Sequence, residues 1–231
     1  MTKRGLSTTG LIMPPDFDSV AFDNIHRHLC RYKSKFSNNS WEQYGGAWNA
    51  VAYRYYTCAE HDAEFTTLIK SLGVTPSLKD RYLQERELFG FFVTGLSTIE
   101  SLCYGLFAIA SNINAKEFAF KNVSDYRRVN PENTCKSFKN AFPNDAISGT
   151  FNMLIASQQF KDWKEIRNVL AHRTAPGRIV DLTTNTPTQP AYWKIGIALD
   201  DTTTSTRRFW LSNSINAVLG ETDSFTMKYF V

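Results

Sequence analysis

The run Phe89-Gly90-Phe91-Phe92-Val93-Thr94-Gly95-Leu96-Ser97-Thr98-Ile99-Glu100-Ser101-Leu102-Cys103-Tyr104-Gly105-Leu106-Phe107-Ala108-Ile109-Ala110 carries a single charge, Glu100, over about the length that spans a bilayer. Two features place it inside a protein instead. Glu100 would sit near the membrane centre, at a cost of about 2.5–3.5 kcal/mol for a comparable acid. The same pattern also runs straight out of Lys79-Asp80-Arg81-Tyr82-Leu83-Gln84-Glu85-Arg86-Glu87, a strongly charged helical lead-in. The reading is therefore a long central helix, Leu78 to about Asn112, opened by Pro76-Ser77 and buried by its neighbours.

Upstream, Asp16 to Lys35 has apolar positions at three-to-four spacing and predicts a first amphipathic helix. Ser37-Asn38-Asn39-Ser40 is a turn and an N-cap for a second helix, about Trp41 to Leu72, closed by Gly73. That helix is weakened by Gly45-Gly46 and carries an aromatic stripe: Trp41, Tyr44, Trp48, Tyr53, Tyr55, Tyr56 and Phe65. Such a stripe serves packing far more often than base stacking. Downstream, Asn130-Pro131-Glu132-Asn133 turns into a short helix. Helices at about Asp145–Ala156 and Gln159–Arg173 follow, the second burying Phe160, Trp163, Ile166, Val169 and Leu170 along one stripe.

Beyond Arg178 the character changes. Ile179-Val180-Asp181-Leu182 reads as a short strand and Thr183 to Pro190 as a loop. Tyr192–Leu199 and Thr206–Leu211 read as a hairpin around Asp200-Asp201-Thr202-Thr203. Ser212 or Asn213 then caps a last helix to about Tyr229. The expected fold is mainly α, an antiparallel helical bundle with a small C-terminal β-hairpin extension. Its regions are residues 1–77 (N-terminal helices), 78–178 (helical core) and 179–231 (extension).

With 231 residues, 42% hydrophobic and 14% aromatic, the chain can bury a substantial core. Its net charge of +4 tolerates an anionic partner without demanding one. Basic residues gather near the helix ending at Arg173: Arg127, Arg128, Lys136, Lys139, Lys161, Lys164, Arg173 and Arg178. A solvated polar face accounts for the same scatter. Met1 to Pro15 has no apolar run of secretory-signal length, and Cys30, Cys58, Cys103 and Cys135 lack framework spacing. Reduced, mostly buried thiols in a cytoplasmic protein are the expectation, with no membrane span. His26-x3-Cys30 and Cys58-x2-His61 each put two zinc-capable side chains on one helical face, although ordinary helical His and buried Cys explain them better. No phosphate-binding G-x4-G-K-S/T loop, G-x-S-x-G elbow or H-E-x-x-H helix is present.

The chemistry concentrates in Glu165-Ile166-Arg167-Asn168-Val169-Leu170-Ala171-His172-Arg173, just before Pro176-Gly177. Asn168 and His172 are four apart and share a helical face. Arg167 lies about 140° around from His172, within reach of its long fork. A guanidinium can clamp a phosphate bidentately, and an imidazole can move the proton of an attacking 2′-hydroxyl. Asn168 can hold the ring or donate to a phosphate oxygen. A favourable charge at a helix C-terminus and an arginine seeking a carboxylate explain the same residues structurally.

Arg167-Asn168-Val169-Leu170-Ala171-His172 resembles the R-x4–6-H signature of the HEPN superfamily, in its R-N-x-x-x-H form. Phe91 to Leu102 is similar to the long HEPN helix that carries an acid among apolar residues. The resemblance covers about Leu78 to Arg178. It implies an all-α bundle that commonly dimerises, bringing two motif helices into one cleft. Many members are metal-independent ribonucleases in toxin–antitoxin, antiphage or RNA-processing systems, and others are non-catalytic binding modules. It further implies catalytic Arg167 and His172, supporting Asn168, and Glu100 orienting Arg167 through an ion pair. Lys164, Arg173 and Arg178 would contact RNA. No cofactor or metal is implied; the partners would be RNA, a second copy of the chain and an antitoxin-like protein.

Overall fold

In a computed structural model, which describes residues 10–173, 175–180 and 191–231, the charged lead-in and the apolar run form one continuous helix. This helix, α3 (Leu78–Ala110), is about 50 Å long. Ser77 caps it by accepting from the Asp80 amide. Its interior hydroxyls turn back on their own helix: Thr94, Thr98 and Ser101 donate to the carbonyls of Gly90, Thr94 and Ser97 at 2.6, 2.9 and 2.8 Å. Polar groups are thereby satisfied inside an apolar environment. Among the described residues α3 is the one helix long and apolar enough to cross a membrane, and 72% of its apolar window is buried within the fold.

Its neighbours do the burying. α1 (Ser19–Arg31) and a 3-10 turn (Lys33–Lys35) lead to α2 (Asn38–Leu72), capped by Ser37. α2 lies antiparallel to α3 along nearly its whole length, as cross-links at both ends show. Ser40 donates to Asn112 at 3.2 Å near one end, and His61 meets Glu87 at 2.6 Å towards the other. Of the aromatic stripe, Tyr44, Trp48, Tyr55 and Phe65 are buried, which is packing, while Tyr53 stays exposed. α4 (Val123–Tyr126), α5 (Pro131–Ala141), α6 (Ala146–Ala156) and α7 (Gln158–His172) follow, and α8 (Ser205–Tyr229) closes the bundle against α1 and α6. One cluster of buried side chains runs from Met13 to Phe230 through all three expected regions.

α7 docks on α3 through a close approach. Trp163, 1% exposed, donates from Nε1 to the Phe92 carbonyl at 2.9 Å and stacks on Phe91. The space for its ring exists because residue 95 is glycine: a Cβ there would lie 2.2 Å from Trp163 Cζ2. One turn further along both helices comes Arg167, against Glu100.

The C-terminal part carries the expected small β extension, with its turn and strands placed differently. A three-stranded antiparallel sheet forms from β1 (Arg178–Val180), β2 (Ala191–Trp193) and β3 (Ile197–Leu199), pairing Ile179 with Tyr192 and Tyr192 with Ala198. The hairpin turns at Lys194-Ile195-Gly196, where Gly196 takes φ +82°, and not at Asp200–Thr203. Thr206–Leu211, expected as its second strand, is instead the first part of α8. Helical spacing lets Leu211 bury alongside Ile215, Val218 and Leu219, so packing overrides the local β-branched and aromatic composition. The expected loop Thr183 to Pro190 lies outside the described residues, as do Asp181 and Leu182.

Candidate functional site

Helix α7 presents the motif residues unequally. Trp163, Ile166 and Val169 are buried and fix its rotation, leaving Arg167 and Asn168 part-exposed and His172 exposed in the last turn. Arg167 reaches inward and donates from Nη2 to Glu100 Oε1 at 2.5 Å, with side-chain exposures of 19% and 37%. Glu100 is the less covered of the two, so water also reaches its carboxylate. Arg167 Nε is buried without a hydrogen-bond partner, a residual unsatisfied donor worth about 1–3 kcal/mol. Among the described residues, neither Asn168 nor His172 makes a side-chain hydrogen bond.

Glu100 also lines an open cleft of about 510 Å³ between α2, α3 and the start of α5. Opposite it on α2 stand Glu42, Gln43, Gly46 and Arg54, and Tyr104 lies one turn along α3. Arg54 donates to the Ser97 carbonyl at 3.1 Å and to the Ser101 hydroxyl, which fixes one of its nitrogens at the cleft wall. Tyr104 donates to Gln43 Oε1 at 2.7 Å, bracing the two helices. Neither the cleft nor Arg54 is marked by any motif. A sequence feature that falls there is Gly45-Gly46, two glycines in a helix interior, of which Gly46 lines the cleft.

The expected RNA-contacting cations are all paired. Lys164 bonds Glu132, and Arg173 meets Glu165 at 2.7 Å with both side chains well exposed. Exposed pairs of this kind contribute little and exchange readily. Arg178 is different. Its side chain is 2% exposed and held by Glu85 at 2.8 Å, Gln84 at 2.8 Å and the Val74 carbonyl at 3.1 Å. That arginine anchors β1 to α3, with its guanidinium committed to partners within the fold. Trp193 completes the anchor by donating to Glu85 at 2.6 Å.

The two His/Cys pairs do not converge. His26 bonds Tyr44 at 3.2 Å and lies 3.5 Å from the exposed Cys30 thiol, while His61 pairs with Glu87. Cys58 is wholly buried and directed at the Phe91 carbonyl, and burial pushes its thiol well up, away from the thiolate that binds zinc. Among the described residues no three His, Cys, Asp or Glu side chains gather as a metal site. Burial likewise pushes up the thiols of Cys103 and Cys135.

Comparison with protein-family models, with curated proteins and with solved structures finds no match to the chain.

Proposed function

We propose that the chain is a HEPN-like, metal-independent endoribonuclease that cleaves single-stranded or looped RNA as a cytoplasmic homodimer, in the manner of defence or toxin–antitoxin nucleases. The supporting observation is the Arg167–Glu100 pair at 2.5 Å beside an open cleft, on the same helix that leaves His172 exposed and unpartnered among the described residues. A carboxylate that orients a guanidinium preorganises it for the charge that develops on a phosphate. His172 of one protomer takes the 2′-hydroxyl proton as that oxygen attacks phosphorus. The bond to the 5′-oxygen breaks, and the same imidazole in the second protomer gives that oxygen its proton. The products are a 2′,3′-cyclic phosphate and a free 5′-hydroxyl. On this reading, dimerisation supplies the second proton-transfer group.

The test is cleavage of a labelled unstructured RNA in EDTA by native protein, Arg167→Ala and His172→Ala. Loss of general acid–base catalysis lowers the rate by about 10²–10⁴-fold. Cleavage unchanged in either folded variant removes the mechanism. A second reading, a non-catalytic RNA- or protein-binding module, is favoured by one observation: Arg167 is mostly covered and already charge-balanced by Glu100. On that reading no cleavage occurs in native protein, and Arg167→Ala acts on folding alone.

A further inference from the structure

Gly46 sits in the interior of α2, where a Cβ would meet nothing within 4 Å. Packing therefore does not explain the glycine, which is among the poorest helix formers. What the missing side chain does is leave the floor of the cleft open, since Gly46 lines it. At about 510 Å³ the cleft falls within the range of small-molecule sites. Its walls carry uncommitted carboxylate oxygens beside uncommitted N–H donors of Arg54 and Gln43. Glu42 has no hydrogen bond among the described residues, and Glu100 has committed Oε1 to Arg167. Gln43 keeps its amide nitrogen after accepting from Tyr104, whose ring is held edgewise against Phe120.

We propose that this cleft is a nucleobase pocket with a preference for guanine, binding the base next to the phosphate held by Arg167. A guanine edge presents two parallel N–H donors, the match for a carboxylate such as Glu42, whereas adenine, cytosine and uracil lack that donor pair. Arg54, fixed through one nitrogen only, faces the same space and is placed to take a phosphate oxygen. The proposal rests on the ribonuclease reading for its placement beside a scissile bond, although occupancy by a free nucleotide does not.

The experiment is calorimetric titration of the full-length chain with 5′-GMP, AMP, CMP and UMP, repeated on Gly46→Leu and Glu42→Gln, with circular dichroism and Tm confirming folding. GMP is expected to bind at least tenfold more tightly than the others. Glu42→Gln should lower that affinity at least tenfold, and Gly46→Leu, which fills the floor with a good helix former, should abolish it. Equal affinity for all four nucleotides, no binding, or native-like binding by Gly46→Leu overturns the pocket. The two ideas fail separately. GMP binding lost in Gly46→Leu with no RNA cleavage by native protein leaves the pocket standing and removes the nuclease. Cleavage that needs Arg167 and His172 but ignores Gly46→Leu does the reverse.

Discussion

Gly95→Ala is the sharpest perturbation of the docking that positions the motif. The added methyl would lie 2.2 Å from Trp163 Cζ2 and 3.0 Å from Cε2, both atoms of a ring that is 1% exposed. Overpacking costs about 1–3 kcal/mol, and so severe an overlap belongs at the upper end. Moving the indole also breaks its bond to the Phe92 carbonyl, about 1 kcal/mol more. Alanine's better helix propensity returns about 1 kcal/mol. The net is destabilisation of about 3 kcal/mol, which lowers Tm by about 6–12 °C for a chain of this size. Urea unfolding followed by circular dichroism reads it. Trp163→Phe in the same background should recover part of the loss, because the smaller ring relieves the overlap, and the double-mutant cycle isolates that coupling. A Gly95→Ala protein as stable as native, or more so, would refute the α3–α7 contact and with it the placement of Arg167 against Glu100.

Two further predictions concern the charges buried around the bundle. Burial opposes the charge on Glu87, but hydrogen bonds from His61 and Arg86 outweigh it and hold the carboxyl below its ordinary value. A depressed carboxyl stabilises the fold above the unfolded-state value and loses that contribution on acidification, so stability should fall as pH drops below about 4.5. Glu87→Gln should flatten that part of a Tm-against-pH profile; an unchanged slope would show that the pair is not formed. Arg178→Ala removes the buried half of the anchor to Glu85, Gln84 and the Val74 carbonyl, and should cost about 3–5 kcal/mol in urea unfolding. A loss below about 1 kcal/mol would mean that Arg178 is solvated after all.

The sequence made the central helix legible because two independent constraints coincided. An apolar run of membrane length interrupted by one acid, and fed by a charged lead-in, has few solutions other than a helix buried along most of its length. The pairing of that acid with Arg167 is what the family resemblance implies, and the apolar composition alone does not name the arginine. The errors share a different cause. Thr206-Arg207-Arg208-Phe209-Trp210-Leu211 has the local composition of a strand, and only the rest of α8 shows that Leu211 continues a helical stripe. The burial of Arg178 is equally hard to read locally, because it depends on Glu85 and Gln84, which are more than ninety positions away. Charge alone does not tell an anchor from a ligand contact.

The same distinction bears on Arg167, which the fold pairs with Glu100 and which the proposed nuclease would also use as a phosphate contact. With 19% of its side chain exposed, it is too covered to be a free surface cation and too open to be sealed in the core. Its carboxylate partner is itself 37% exposed and lines the cleft, so water reaches the pair and weakens the attraction between them. A more deeply buried pair would withhold the arginine from RNA, and an unpaired arginine would hold no fixed geometry for the transition state. The intermediate placement suits a group that must be both oriented and available, and it stands or falls with whether Arg167→Ala loses cleavage or merely stability.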